Sequence, residues 1–348
     1  MLPRPGVTQT LARFVVETRW EDIPEQARHE AKRALLNFFA VAIAGCHTEP
    51  VELALKTLAE FSGGKQATIV GRTERIDALG AAFLNAAGAN VFDYCDTHLP
   101  TVVHPTAPLA PALLALAELR PVNGAQLLLA FILGFEIECR VGGAVSPGHY
   151  PKGWHITSTC GVFGAAAGAA KLLGLSDRQI VWALGTASTQ SAGLCECLGW
   201  PAKSVSVGNA ARNGLFAALL AEKGFEGPAE PIAGAQGFLA AMGEPPNWAA
   251  LMDGLGKSWE VANNSIVPVR FSSANSLIVI RGMRNKPTTL MFCKSGRTTR
   301  SLRFIGNIWP RIMASVPSRT KKPRMFQKKN PKITANMASK RYATGETK

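Results

Sequence analysis

Asp93-Tyr94-Cys95-Asp96-Thr97-His98, followed closely by His104-Pro105, interrupts a long stretch of apolar helical sequence. Leu79 to Val91 lies before it and Pro108 to Leu119 after it. Carboxylates, a hydroxyl and two imidazoles therefore fall within a dozen residues, between two runs that can only be core. A buried carboxylate or imidazole costs several kcal/mol unless it is partnered. The segment is thus either a satisfied polar plug in a helical core or the floor of a site.

Working outward, hydrophobic spacing predicts helix after helix. Leu11, Phe14 and Val15 share one face over Thr8–Thr18; Ala27 to Val41 continue a helix that starts at Pro24 and ends at Gly45; Glu52–Phe61 is shorter. Ala67 to Gly71 is the strand-like run of the front half, expected as a hairpin arm. Asp77 is expected to cap the helix that runs down to Asp93, and Asn123-Gly124 to open a long helix ending near Gly142-Gly143. A helix is expected over Ala110–Leu119, another over Ser158–Leu175, one capped by Asp177 over Arg178–Ala192, and one over Gly208–Lys223. The abundant Gly and Ala of these last helices suit close helix packing. There is no β-α-β alternation, so the fold class is mainly α, a helical bundle without an obvious repeat. Val267–Phe271 and Leu277–Ile280 read as short strands.

Charge divides the chain. Of its 38 Lys and Arg, 19 fall after residue 260, where Glu346 is the one acid. The net charge of +14 thus belongs to the C-terminal part, and residues 1–260 are slightly acidic. Lys321-Lys322-Pro323-Arg324 and Lys328-Lys329-Asn330-Pro331-Lys332 read as a disordered basic tail. It lacks interleaved aromatics, so a nucleic-acid partner is not expected. The seven cysteines are scattered and show no metal-ligand spacing, which points to buried thiols in a reducing compartment. The N-terminus has no signal-peptide pattern, and the apolar Leu109–Val141 region is broken by charges, so a cytoplasmic protein without a membrane span is expected.

Two further stretches bear on the site. Gly153-Trp154-His155-Ile156-Thr157-Ser158 and Pro201-Ala202-Lys203-Ser204 each place one titratable residue just before a small-residue helix. Taken in order, Asp93 to Pro105, Gly153-Trp154-His155-Ile156-Thr157 and Lys203…Gly208-Asn209-Ala210-Ala211-Arg212-Asn213-Gly214 resemble the MmgE/PrpD family. That family includes 2-methylcitrate dehydratase and cis-aconitate decarboxylase. The likeness extends through Gly224-Phe225-Glu226-Gly227-Pro228 and Leu255-Gly256-Lys257-Ser258-Trp259-Glu260, covering about residues 8–261.

The resemblance implies an all-helical main domain over 1–262, the start of an α+β lid domain at 263–280, and the basic tail at 281–348. Where the family carries a Lys-Pro-Tyr-Pro stretch, this chain reads Asn264-Ser265-Ile266-Val267-Pro268-Val269-Arg270, so the lid domain is read as truncated or diverged and its tyrosine has no counterpart. It further implies a cofactor-free, metal-free lyase of a small tricarboxylate, working as a homodimer. His104, His155, Lys203 and Asp93 are the expected catalytic residues, with Thr97, Lys203 and His155 binding substrate. His suits proton transfer near neutrality and Lys the holding of carboxylates. Each residue also has a structural reading: His98 or His104 beside Pro105 as helix-start residues, Asp96 as an N-cap, Lys203 as a solvated lysine, Trp154 and Trp200 as pocket walls or core. Cys95 stands where the family often has Asp. Gly208 to Gly214 lacks the Lys-Ser/Thr ending of a phosphate loop and is read as helix packing. The rival reading is a catalytically inactive, truncated homologue, serving as a scaffold or present only as a non-functional product.

Overall fold

A computed structural model describes residues 6–242 and 245–266, together with the backbone of 277–279 and 291–293. The fold is mainly α. Its helices are α1 (Val7–Glu17), α2 (Glu25–Gly45), α3 (Glu49–Ala59), α4 (Ala78–Asn90), α5 (Thr106–Leu119), α6 (Gly124–Val145), α7 (Ile156–Leu172), α8 (Asp177–Ser188), α9 (Ala202–Glu222), and the short α10 (Phe238–Ala241) and α11 (Trp248–Met252). The strands are two or three residues long: β1 (Ala67–Thr68) pairs antiparallel with β2 (Arg75–Ile76), β3 (Thr97–His98) with β4 (Asn264–Ser265), and β5 (Leu277–Val279) with β6 (Met291–Cys293). The expected strand at Val267–Phe271, most of the lid start at 263–280 and nearly all of the tail at 281–348 lie outside the described residues.

At the centre α7 packs between α6 and α9, while α4 and α5 close the other side of α9 and α7. α7 is buried along its whole length from Ile156 to Ala170. It can be so because small residues let backbones touch. A Cβ placed on Gly214 of α9 would stand 2.7 Å from the Val162 carbonyl oxygen of α7, and one on Gly134 of α6 would stand 2.6 Å from that of Gly164. α5 and α6 are core helices, and among the described residues no single helix is long and apolar enough to cross a membrane.

Several boundaries differ from those expected. α5 begins at Thr106, not Ala110, because Pro108 falls in the first turn, where its missing N–H is not needed. α9 begins at Ala202, not Gly208, so Lys203 lies inside the first turn, not ahead of it. α8 is capped by Ser176 in a reciprocal box with Gln179; Asp177 is its first helical residue, and the helix stops at Ser188. α4 stops at Asn90, and Asp93 lies beyond it with a left-handed φ of 57°. Asp77 and Asn123 do cap α4 and α6, through bonds from Gly80 N–H and Gln126 N–H.

α6 also anchors the end of the described core. Arg140 and Glu136 pair at 2.6 Å inside the protein, Arg140 donates to the Asp253 carbonyl at 2.9 Å, and Glu136 accepts from Glu260 N–H at 2.7 Å. That holds residues 253–260 in place, from which β4 reaches back to β3.

Candidate active site

The loop from Asp93 to Pro105 lies on the core between α4 and α5. β3 at Thr97–His98 is tied down by β4, with Thr97 opposite Ser265 and His98 opposite Asn264. His98 is buried; its Nδ1 meets Thr101 Oγ1 at 2.7 Å and its Nε2 meets Glu260 Oε2 at 2.9 Å. Both ring nitrogens are therefore occupied by structure. The His98 hydrogen bond holds Glu260 below the usual carboxylate range, against the opposing effect of burial.

Asp96 is the firmest point of the loop. It is fully buried: its N–H donates to Asn37 Oδ1 of α2 at 2.9 Å, and its Oδ2 accepts from Thr106 Oγ1 at 2.6 Å and from Asn264 Nδ2 at 2.7 Å. It supports the start of α5 from ten residues upstream, whereas Pro105 occupies the N-cap position itself.

His104 hangs from this frame. Its Nδ1 lies 3.0 Å from the Asp96 carbonyl oxygen and 3.2 Å from Thr97 Oγ1, and its backbone N–H donates to Thr157 Oγ1 at 3.1 Å. A carbonyl only accepts, so Nδ1 carries a proton and Nε2 is the exchangeable position. Nε2 faces Asp93 Oδ1 at 3.9 Å. Asp93 in turn accepts a hydrogen bond from Lys203 Nζ. Lys203 is buried while the Asp93 side chain is 58% exposed, so the pair runs from the core to the surface.

His155 sits at the N-cap of α7, buried, with Nδ1 3.2 Å from Ser158 Oγ and 3.3 Å from Ser206 Oγ of α9. Neither α7 nor α9 has a side-chain cap at its N-terminus. Two helix starts, each with a partial positive charge, thus lie where His155 and Lys203 lie.

The electrostatics of the two histidines are opposite. Burial pulls His104 down, but the hydrogen-bonded Cys95 sulfur, the Asp96 carbonyl and the Asp93 carboxylate outweigh it and raise it to about 9. His155 is lowered to about 4, by burial first and then by the charges of Lys203 and His104, with Asp93 opposing. At neutral pH the first is an imidazolium and the second a neutral imidazole.

The structure thus brings Asp93, Thr97, His104, His155 and Lys203 into one neighbourhood. Trp154 is half-buried and stacked on His149, with ring centroids 6.1 Å apart, while Trp200 is 71% exposed and is not core. Cys46, Cys95, Cys139 and Cys160 are buried free thiols; Cys195 and Cys197 are half-buried. Among the described residues, no three His, Cys, Asp or Glu side chains converge in a group that could hold a metal ion. Sequence reasoning passed over the supporting residues: Asp96 as an anchor, Thr157 on His104, Ser158 and Ser206 on His155, Glu260 on His98. Asn264 stands out in the sequence only as a departure from a motif. Ordinary Ser, Thr and Glu in helices carry no local signal of such roles.

The sequence pattern of the MmgE/PrpD N-terminal domain matches residues 9–251. The cis-aconitate decarboxylase-like protein oryM of Aspergillus oryzae is 32% identical over 277 residues, which cover 75% of this chain and 58% of that protein. The cis-aconitate decarboxylase of Aspergillus terreus is 32% identical over 234 residues, 64% of this chain and 47% of its own length. That of Homo sapiens is 30% identical over 228 residues, with the same coverage of 64% and 47%. The chain spans about half the length of the curated relatives it matches.

Proposed function

Because the chain belongs to the MmgE/PrpD family, we propose that it is a lyase of small tricarboxylates, and that loss of CO2 from a cis-aconitate-type substrate is its reaction. The observation that carries this reading is the opposite displacement of two histidines around one Lys–Asp pair. Groups whose environments push their protonation apart divide the roles of acid and base. Lys203 and the two uncapped helix starts hold substrate carboxylates, with Thr97 as a further donor. His104, protonated at Nε2, is the acid. When the bond to the departing carboxylate breaks, CO2 leaves and its electron pair remains on the substrate carbon skeleton. That pair ends as a C–H bond whose proton His104 supplies. Neutral His155 donates or accepts at the other side without adding charge. Asp93 keeps the Lys203 ammonium and the His104 imidazolium side by side, against their mutual repulsion.

The curated relatives named above favour decarboxylation over the dehydration of a 2-methylcitrate-type substrate, which the same acid could serve by protonating a leaving hydroxyl. Incubating the full chain with cis-aconitate and with 2-methylcitrate, and following products by NMR, tests the reading. Release of CO2 from cis-aconitate is the expected result; water loss from 2-methylcitrate alone would replace it with the dehydratase. A homodimer in the cytoplasm belongs to the same proposal, and sedimentation velocity reads its stoichiometry. A second reading, a homologue that binds but does not turn over, is favoured by Asn264-Ser265-Ile266 standing where the family has its tyrosine-bearing stretch. Saturable binding without product would select it.

A further inference from the structure

No residue of α6 takes part in the chemistry proposed, yet Glu138 lies in the middle of that helix, fully buried, with neither carboxyl oxygen hydrogen-bonded among the described residues. It fills the notch that glycines of α7 leave open: a Cβ on Gly164 would stand 2.5 Å from Glu138 Oε2, and one on Gly161 would stand 3.4 Å from it. Asp96 is the charged group that acts on it. Asp96 Oδ1 is likewise buried and without a partner, whereas its Oδ2 has the two donors already described.

Among the described residues, no cation is free to balance two carboxylates there. Arg140 on the same helix is held by Glu136 and by the Asp253 carbonyl. The other titratable neighbours are Cys139 on α6 and Cys160 on α7, and burial keeps both as neutral thiols. His104 is the positive group that faces Asp96. His104 itself is faced by Asp93 and Cys95, and it lies near Lys203 and His155. Two buried anions against one imidazolium would leave a charge uncompensated in the interior, which proteins avoid by taking up a proton.

The donors decide which carboxyl takes it. Burial raises both carboxyls, but Asp96 receives two hydrogen bonds and faces His104, which favour its ionised form, whereas Glu138 receives no hydrogen bond among the described residues. We propose that Glu138 is a neutral carboxylic acid at physiological pH, that Asp96 is thereby the single buried anion of this pocket, and that Asp96 is a positioning residue for His104. It holds the imidazole by its backbone carbonyl and holds the imidazolium charge by its carboxylate. Asp96 Oδ1 remains the open acceptor of that carboxylate. The proposal rests on the lyase reading only for what His104 does to substrate. Its tests use no substrate, so failure to turn over cis-aconitate and failure of this proposal are separate results.

The full chain, labelled at histidine ring positions, is titrated by NMR, with His104 assigned by its loss in His104→Gln. Glu138→Gln, whose amide stands in for the neutral acid, is expected to leave the His104 midpoint where it is. Asp96→Asn is expected to lower it by about one to three pH units, the usual effect of removing a close opposite charge. Infrared difference spectra of the unaltered chain against Glu138→Gln at neutral pH are expected to show a carboxylic-acid carbonyl band, and this holds whether or not Asp96→Asn folds. A carboxylate band in its place, or a His104 midpoint that falls in Glu138→Gln as far as in Asp96→Asn, overturns the neutral acid. An unmoved midpoint in folded Asp96→Asn overturns the positioning role.

Discussion

Lys203 and Asp93, 110 residues apart in the chain, are joined by a hydrogen-bonded ion pair in which the lysine is buried and the aspartate is open to solvent. This asymmetry makes the ammonium the held partner and the carboxylate the one free to adjust. A substrate carboxylate approaching from solvent meets Asp93 first and competes with it for Lys203.

Lys203→Met keeps the stem that packs at the start of α9 and removes the charge. Charge-assisted hydrogen bonds are worth about 1.5–3 kcal/mol, so KM for the tricarboxylate is expected to rise about tenfold to a hundredfold. Asp93 is left as a solvated carboxylate, and the thermal midpoint should hardly move. Steady-state kinetics and a melting curve of the same preparation check both halves.

His104→Ala removes the proposed acid. Turnover is expected to fall by about 10²–10⁴, the usual worth of a positioned acid–base group. Circular dichroism identical to that of the parent, with an unchanged rate, would assign His104 to structure instead.

The pH profile follows from the signs. His104 works protonated and is raised to about 9, so kcat/KM should fall as pH rises through about 9. His155 works neutral and is lowered to about 4, so kcat/KM should fall as pH drops through about 4. A broad plateau across neutrality is the expected shape, and a decline centred near 6.5 would show that neither histidine is displaced in the working enzyme.

Gly214→Ala places a methyl against the Val162 carbonyl of α7, where the two backbones cannot separate without opening the centre of the core. Overpacking of this kind costs about 1–3 kcal/mol. Urea unfolding should show a lower midpoint at unchanged slope. Gly63→Ala, where no atom lies within 4 Å of the added carbon, is the control and should change stability by less than about 0.5 kcal/mol.

The helices were written locally. Their apolar spacing and small-residue faces, with the caps at Asp77 and Asn123, are properties of neighbouring residues, and so the sequence alone sets the mainly α class and the order of its elements. Boundaries slipped where local rules compete, as at Thr106, where prolines suit a first turn, and at Ser176, where two adjacent residues can each cap. The sequence also picked out Asp93, Thr97, His104, His155 and Lys203 as residues with chemistry. What it left undetermined is what each of them feels. Charge partners and desolvation come from residues far away in the chain: Lys203 beside Asp93, Asn264 and Thr106 on Asp96, Glu260 on His98, Ser206 on His155. Two histidines of the same type, both pulled down by burial, end near 9 and near 4, because one is also given anionic and carbonyl neighbours that outweigh it and the other cations that add to it. Only the tertiary packing of α4, α5, α7 and α9 makes that difference, since a dielectric environment and a field belong to a place in the fold and not to a residue.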